Sequence, residues 1–170
     1  MGDPKKARKK YATPSHPWQK GRIEAEKVLT KEYGLKNKRE IWKMGSMVKT
    51  FISHIKSSAY TEQAKKERQQ LLRKLQGLGL IKEEATMDDI LSLTVKDIME
   101  RRLQTLVFRK GLARSIGQAR QFIVHGHIKV GDNKVTEPSY LVKSVEEGHI
   151  GFITKSSLSS SDHPERGVAT

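Results

Sequence analysis

The sequence predicts an α+β protein, with a helical N-terminal region followed by a C-terminal unit of helices packed on a small antiparallel β-sheet. Three observations carry this reading. Apolar residues recur at helical spacing as far as about residue 125. Beyond it, Ile128-Lys129-Val130 and Ile150-Gly151-Phe152-Ile153 are short strand-like runs, separated by Gly, Asp, Asn and Pro. Charge is also segmented. Residues 1–49 hold 14 Lys+Arg against 5 Asp+Glu, residues 50–100 hold 8 against 8, residues 101–155 hold 10 against 4, and residues 156–170 hold 1 against 2. Two basic blocks therefore flank an electroneutral stretch, which uniform charging for solubility would not produce.

Bulk properties exclude several classes. A chain of 170 residues has room for one domain or two small ones, but not for a core plus a large catalytic domain. A net charge of +14 makes a polyanion the default partner, because each phosphate neutralised by Lys or Arg releases a condensed counterion; a merely soluble basic protein is the competing reading. It has no cysteine, so disulfides and thiolate zinc sites are excluded. No apolar stretch approaches the roughly 20 residues that span a bilayer. The basic run near the N-terminus is not followed by an apolar one, so it does not read as a secretory signal. A soluble cytoplasmic protein is expected.

Taken in order, Lys5, Lys6, Arg8, Lys9 and Lys10 form a self-repelling run, expected to order only when phosphate neutralises it; a basic targeting signal is the competing reading. Thr13-Pro14-Ser15-His16-Pro17-Trp18 should be extended, with Trp18 a stacking face or an anchor. Ile23 to Tyr33 reads as a short helix stopped by Gly34, and Lys20 and Arg22 lie at its start. Lys36, Lys38, Arg39 and Lys43 then surround Trp42, which reads as core because Ile41 and Met44 flank it, with a stacking platform as the competing reading. Ile41, Met44, Val48, Phe51, Ile52 and Ile55 form one apolar helical face. A second helix is expected after Tyr60, capped by Thr61, with Ala64, Leu71, Leu72 and Leu75 inward and Gly77 and Gly79 ending it. Thr86-Met87-Asp88-Asp89 reads as the start of a third.

Thr94 with Asp97 opens a helix expected to run unbroken to Lys110, stopped by Gly111. At about 100° per residue, Met99, Leu103, Leu106 and Val107 share one face. Arg101, Arg102, Thr105 and Arg109 share the opposite, solvent-facing one. Ser115 and Gln118 then form a capping box for a helix to about His125, with Ile116, Ala119, Phe122 and Ile123 inward and Gly126 at its end. Arg114 precedes it and Arg120 lies within it, beside a helix N-terminus that favours anions. Ile128-Lys129-Val130, Gly131-Asp132-Asn133-Lys134 and Val135 read as a hairpin. The whole divides into a basic extension with a short helix over 1–43, a helical scaffold over 44–100, a basic module over 101–155 and a flexible Ser-rich tail over 156–170.

Ser115-x-x-Gln118-Ala119-Arg120-Gln121, His125-Gly126-His127-Ile128-x-Val130 and Pro138-Ser139-Tyr140 resemble the RNA-binding module named after the small-ribosomal-subunit protein S-four. Pro14-Ser15-His16-Pro17-Trp18 and the run Tyr33 to Trp42 are similar to the archaeal type of that ribosomal family itself, over residues 1 to about 155. The resemblance implies a non-enzymatic, primary binder of small-subunit ribosomal RNA at a multi-helix junction of the 5′ domain. It would act early in assembly, lie among neighbouring small-subunit proteins, line the side where messenger RNA enters and contribute to translational accuracy. On the module's basic face it points to Arg101, Arg102, Arg109, Lys110, Arg114, Arg120, His125, His127, Lys129 and Lys134. The N-terminal block adds Lys5, Lys6, Arg8, Lys9, Lys10, Trp18, Lys20, Arg22, Lys36, Lys38, Arg39 and Lys43.

Other chemistries are weaker. Some bacterial relatives carry a cysteine zinc knuckle; without cysteine this chain implies no metal or other cofactor there. His125 and His127 could form a metal pair, but no third ligand is apparent nearby in sequence. Gly77-Leu78-Gly79 lacks the Lys-Ser/Thr of a phosphate loop. An RNA-modifying enzyme using the same module would need a catalytic domain that some 50 electroneutral residues cannot hold. A free-standing RNA chaperone or ribosome assembly or quality-control factor is the alternative, sharing the basic face but binding transiently. Neither a small-molecule substrate nor a membrane is expected.

Overall fold

The structure is a computed structural model that describes residues 2, 9–57, 62–82, 87–160 and 163–165. Lys5, Lys6, Arg8, Thr61 and Thr86, to which the sequence reading gave roles, lie outside the described residues.

Five helices build the first core: α1 (Lys20–Glu32), α2 (Lys38–Ser57), α3 (Glu62–Gly77), α4 (Met87–Leu91) and α5 (Val95–Glu100). The α2 stripe sits inside it: Ile41, Met44, Val48, Phe51 and Ile55 are buried, and Ile52 packs at the margin. Tyr33 and Leu35 from the α1–α2 turn, Leu75 of α3, and Ile98 and Met99 of α5 close the cluster. Gly34 and Gly79 adopt positive φ after α1 and α3, as the sequence predicts for helix stops.

The boundary expected at residue 43 is not a boundary. The α2 helix runs through it, and Ile41 and Met44 share one core. Among the described residues, Ile41 of the basic block and Met44, Val48, Phe51 and Ile55 after it contribute to one core.

The second core belongs to α6 (Leu103–Arg109), α7 (Ile116–Val124) and a three-stranded sheet. Strand β1 (Ile128–Val130) is central, antiparallel to β2 (Asn133–Lys134) on one side and β3 (Ile150–Phe152) on the other. Val130 pairs with Asn133, so the turn is the two residues Gly131-Asp132, and Asn133-Lys134 are strand where the sequence reading placed them in the turn. Positive φ falls on Gly131 alone, the pattern of a type II′ hairpin. A short helix, α8 (Ser144–Glu147), leads into β3. Ala119, Phe122 and Ile123 of α7 face this sheet, whereas Ile116 packs on the first core.

The single helix expected from Thr94 to Lys110 is two. Asp97 does fix the start: its carboxylate accepts from the Thr94 backbone N–H and hydroxyl, both at 2.7 Å. At Arg101 the chain leaves helical geometry, and Arg102 is extended at φ −72°, ψ 141°. There it bridges antiparallel to Leu141. Leu103 N–H donates to Tyr140 O at 2.8 Å, and Val142 N–H donates to Arg101 O at 3.0 Å. The Met99 carbonyl accepts from the Arg102 N–H at 3.3 Å and also from the hydroxyl of buried Thr105 at 2.8 Å, so that polar side chain is satisfied where it lies.

The tail does not leave the body at once. Residues 157–159 form a 3-10 turn whose Leu158 is buried in the second core. Further on, the Arg114 guanidinium donates to Pro164 O, and Gln118 Nε2 donates to Glu165 O at 2.9 Å.

Candidate nucleic-acid interface

The two cores meet at a buried ionic junction that sequence reasoning did not find. Glu40, in the first turn of α2, accepts from Arg102 through Oε2 and from Arg120 Nη2 through Oε1, the latter at 3.0 Å. Arg102 is 1% exposed. Gln104, also buried, donates to the carbonyls of Gly34 at 3.2 Å and Ile116 at 3.0 Å, and its Oε1 lies 3.4 Å from Arg120 Nη1. Burial pushes the Glu40 carboxyl up, but hydrogen bonds from Arg120 and Arg102 outweigh this and hold it below the ordinary carboxylate range. The junction therefore contains a charged carboxylate shared by two guanidiniums, one sealed and one half-exposed.

The expected solvent placement of Arg102 and Thr105 is thus corrected. The helix break rotates Arg102 off the arginine face and into the interior, where no phosphate can reach it without displacing Glu40. Arg101 is half-buried too: Nη1 pairs with Glu147 Oε2 at 2.7 Å and Nη2 donates to Val142 O at 3.3 Å. Arg109 stays on the surface, 3.0 Å from Glu100 Oε1, which also accepts from the Tyr33 hydroxyl at 2.9 Å.

A second carboxylate organises the N-terminal block. Glu26 is 5% exposed and binds Arg22 at 2.5 Å, Lys38 at 3.3 Å and the Trp42 indole N–H at 2.9 Å. Burial raises its pKa, yet the hydrogen bonds from Trp42, Arg22 and Lys38 bring it below the usual value. Arg22 Nη2 also donates to His16 O at 3.0 Å and Pro17 O at 2.8 Å, clamping the Pro-rich strap onto α1. Trp42 is half-buried and lies against Tyr11, whose ring carries the Arg39 guanidinium 5.8 Å from its centroid. Trp18, at the end of the strap, is 90% exposed.

The remaining predicted cations fall on the surface. Lys9, Lys10, Lys20, Lys36, Arg39, Lys43, Lys110, Arg114 and Lys134 are exposed, and Lys129 is half-buried on β1. Arg39 and Lys43 of α2 share with Arg120 of α7 a groove of about 160 Å³, walled by Pro138 and Ser139. The junction thus brings cations from both cores to one cleft. Lys110 Nζ donates to the Glu147 carbonyl. Ser115 Oγ accepts from Gln118 N–H at 3.1 Å as expected, while the Gln118 side chain reaches Arg114 N–H instead of completing the box at Ser115. His125 is exposed; His127 is half-buried, its Nδ1 2.8 Å from Ser156 Oγ, with the two rings 6.4 Å apart.

The sequence signal for the junction was present in one respect. Glu40 is the single acid between Glu32 and Glu62, set among four cations. A lone carboxylate in such a run is a natural counter-ion for arginines arriving from elsewhere. Gln104, between Leu103 and Thr105, carries no comparable signal.

Helices on a small antiparallel sheet, with cations at the cleft beside them, define the class of an RNA-binding module, and residues 101–147 match the family described as the S4 domain. Over nearly the whole chain the sequence is 52% identical to the small ribosomal subunit protein uS4 of Methanococcus aeolicus, covering 98% of this chain and 96% of the relative. It is 48% identical to the protein of that name in Methanococcus maripaludis, covering 100% and 97%. With its namesake in Picrophilus torridus the identity is 49%, covering 98% and 93%. The chain belongs to the uS4 family.

Proposed function

We propose that this chain is a structural, non-enzymatic constituent of the small ribosomal subunit that binds its ribosomal RNA through phosphate-directed cations on both halves. The observation that carries the reading is the cleft where Arg39 and Lys43 from the N-terminal half face Arg120 from the module. Structured RNA is read largely by shape, phosphates and 2′-hydroxyls, which calls for cations held at fixed separations and few base contacts. The junction beneath this cleft supplies such a fixed separation. Arg109, Lys110, Arg114, Lys129 and Lys134 extend the surface on the module, and Lys9, Lys10, Lys20, Lys36 and Trp18 extend it on the N-terminal side. A place at a 5′-domain junction, early in assembly, with neighbouring proteins alongside and messenger RNA passing nearby, is the finer form of the same proposal. It rests on the family resemblance.

Two experiments test it. Native protein is sedimented with small subunits through a sucrose gradient in high salt: a structural constituent stays with the particle, and release would refute that role. Binding of the purified chain to small-subunit ribosomal RNA is then measured against salt. Each phosphate contact removed lowers the slope of log affinity on log salt by about 1. The double variant Arg39→Gln, Lys43→Gln should flatten the slope by about 2, and an unchanged slope would remove the cleft from the interface.

A further inference from the structure

We infer that Trp18 is a preorganised stacking platform for an unpaired RNA base, a discrete site for single-stranded nucleotide beside the phosphate-binding surface. The inference rests on the RNA-binding reading above and deepens it. Trp18 is 90% exposed, the most exposed large apolar side chain among the described residues. Aromatic rings of this size normally contribute their burial to the core, so one left in solvent is explained best by a ligand that covers it.

Its backbone, by contrast, is held. The peptide carbonyls of His16 and Pro17, immediately before it, both accept from Arg22 Nη2. The other terminal nitrogen of that guanidinium is fixed to buried Glu26, itself bound by Trp42 and Lys38. Farther back, Ala12 N–H donates to Ser46 Oγ on α2 at 2.9 Å. Helix α1 starts two residues after Trp18. The indole therefore projects from a strap tied down on both sides, and a platform fixed in advance loses less freedom on binding.

The surroundings select a nucleic acid as the occupant. A protein-docking surface would be a contiguous apolar patch. Its chain neighbours Ser15, His16, Pro17, Gln19, Lys20 and Gly21 are all exposed, and the next exposed large apolar residue along the chain is Val28. Lys9, Lys10 and Lys20 are exposed cations of the same basic block. A lone aromatic face among cations is the arrangement that stacks a base while lysines neutralise its phosphates. Duplex RNA does not offer such a face, because its bases are already stacked, so the target is a bulged, looped or terminal nucleotide.

The test uses the full chain and small-subunit ribosomal RNA. Trp18→Ala should weaken binding about tenfold, within the range of one lost stacking contact, and leave the salt slope unchanged. Trp18→Phe, which keeps a π-face, should recover most of the loss. Because the ring is exposed, both variants should keep the parent thermal transition. RNA should also quench the part of the tryptophan emission that Trp18→Phe removes. Unchanged affinity in Trp18→Ala with no quenching overturns the inference. So does normal binding to naked RNA combined with poor retention in assembled subunits, which would assign Trp18 to a protein neighbour. In both overturning cases, persistent salt-dependent binding of the parent chain leaves the RNA-binding reading standing; loss of that dependence in the parent would refute the reading itself.

Discussion

Replacing Glu40 by alanine is the most informative perturbation of the fold, because it removes the carboxylate shared by Arg102 and Arg120. The Arg102 side chain is 1% exposed, so it cannot recover hydration where it stands. Breaking a buried pair by deleting one partner costs about 3–5 kcal/mol. The Glu40 side chain is 17% exposed and Arg120 is 25% exposed, so water screens part of the site and the lower end applies, about 3 kcal/mol. At roughly 2–4 °C per kcal/mol for a chain of this size, the thermal midpoint should fall by about 6–12 °C. Arg120→Gln, at the wetter partner, should cost about 1 kcal/mol. Replacing both buried partners, Glu40→Gln with Arg102→Met, leaves no fully buried charge unpaired, and the remaining cation, Arg120, is 25% exposed to solvent. The double variant should therefore be less destabilised than the sum of the single ones, by about 2 kcal/mol. Urea unfolding followed by circular dichroism measures all of these. A Glu40→Ala variant within about 0.5 kcal/mol of the parent, or strictly additive single variants, would refute the idea that this junction holds the two cores together.

Three further outcomes are expected. Glu40 and Glu26 titrate below their ordinary value of 4.5 when folded, so the stability they supply is complete above that value and is lost as pH falls through the folded values. Stability measured from about pH 6 to 3 should decline in the parent and decline less steeply in Glu26→Gln, Glu40→Gln; parallel curves would contradict the assignment. Leu158→Ala should lower stability by about 2 kcal/mol, the low end for a buried leucine because a tail can detach locally; an unchanged melting profile would show that the tail is not part of the second core. Arg102→Gln should destabilise the protein while leaving the salt slope of RNA binding intact, the reverse of Arg39→Gln, Lys43→Gln, and a flattened slope would put Arg102 back on the interface.

What the sequence disclosed and what it hid divide along a physical line. Signals local in the chain were legible: the stripe from Ile41 to Ile55, the glycine stops at Gly34, Gly79 and Gly126, and the Ser115 cap all appear as read. The break at Arg101–Arg102 was not, because it is caused by pairing with residues 140–142, some forty positions away. A helical wheel assumes that the helix continues, and so it put Arg102 on the solvent side. Charge counts failed in a related way. They registered Arg22, Lys38, Arg101 and Arg102 as available cations, although each is paired with a carboxylate brought in by the fold. The change in net charge after residue 49 is real, but it falls inside α2 and marks a change of surface along one helix.

The paired cations differ in what they can still do for RNA, and burial decides it. Arg109 and Glu100 are both well exposed, with side chains at 61% and 39%. An exposed pair of this kind contributes about 0–1 kcal/mol. A phosphate can therefore take Arg109 from Glu100 at almost no cost in stability and gain a charge-assisted contact in return. Arg102 is the opposite case: a phosphate would have to open the junction that fixes the cleft. Arg120 lies between them, bound to Glu40 yet open to solvent along the groove shared with Arg39 and Lys43. It can hold the two cores together through one face of its guanidinium and meet RNA with the other. On the proposed RNA-binding reading, the buried arginine would set the distance between the two basic surfaces, the half-exposed one would transmit that distance to the cleft, and the exposed ones would supply the counterion release.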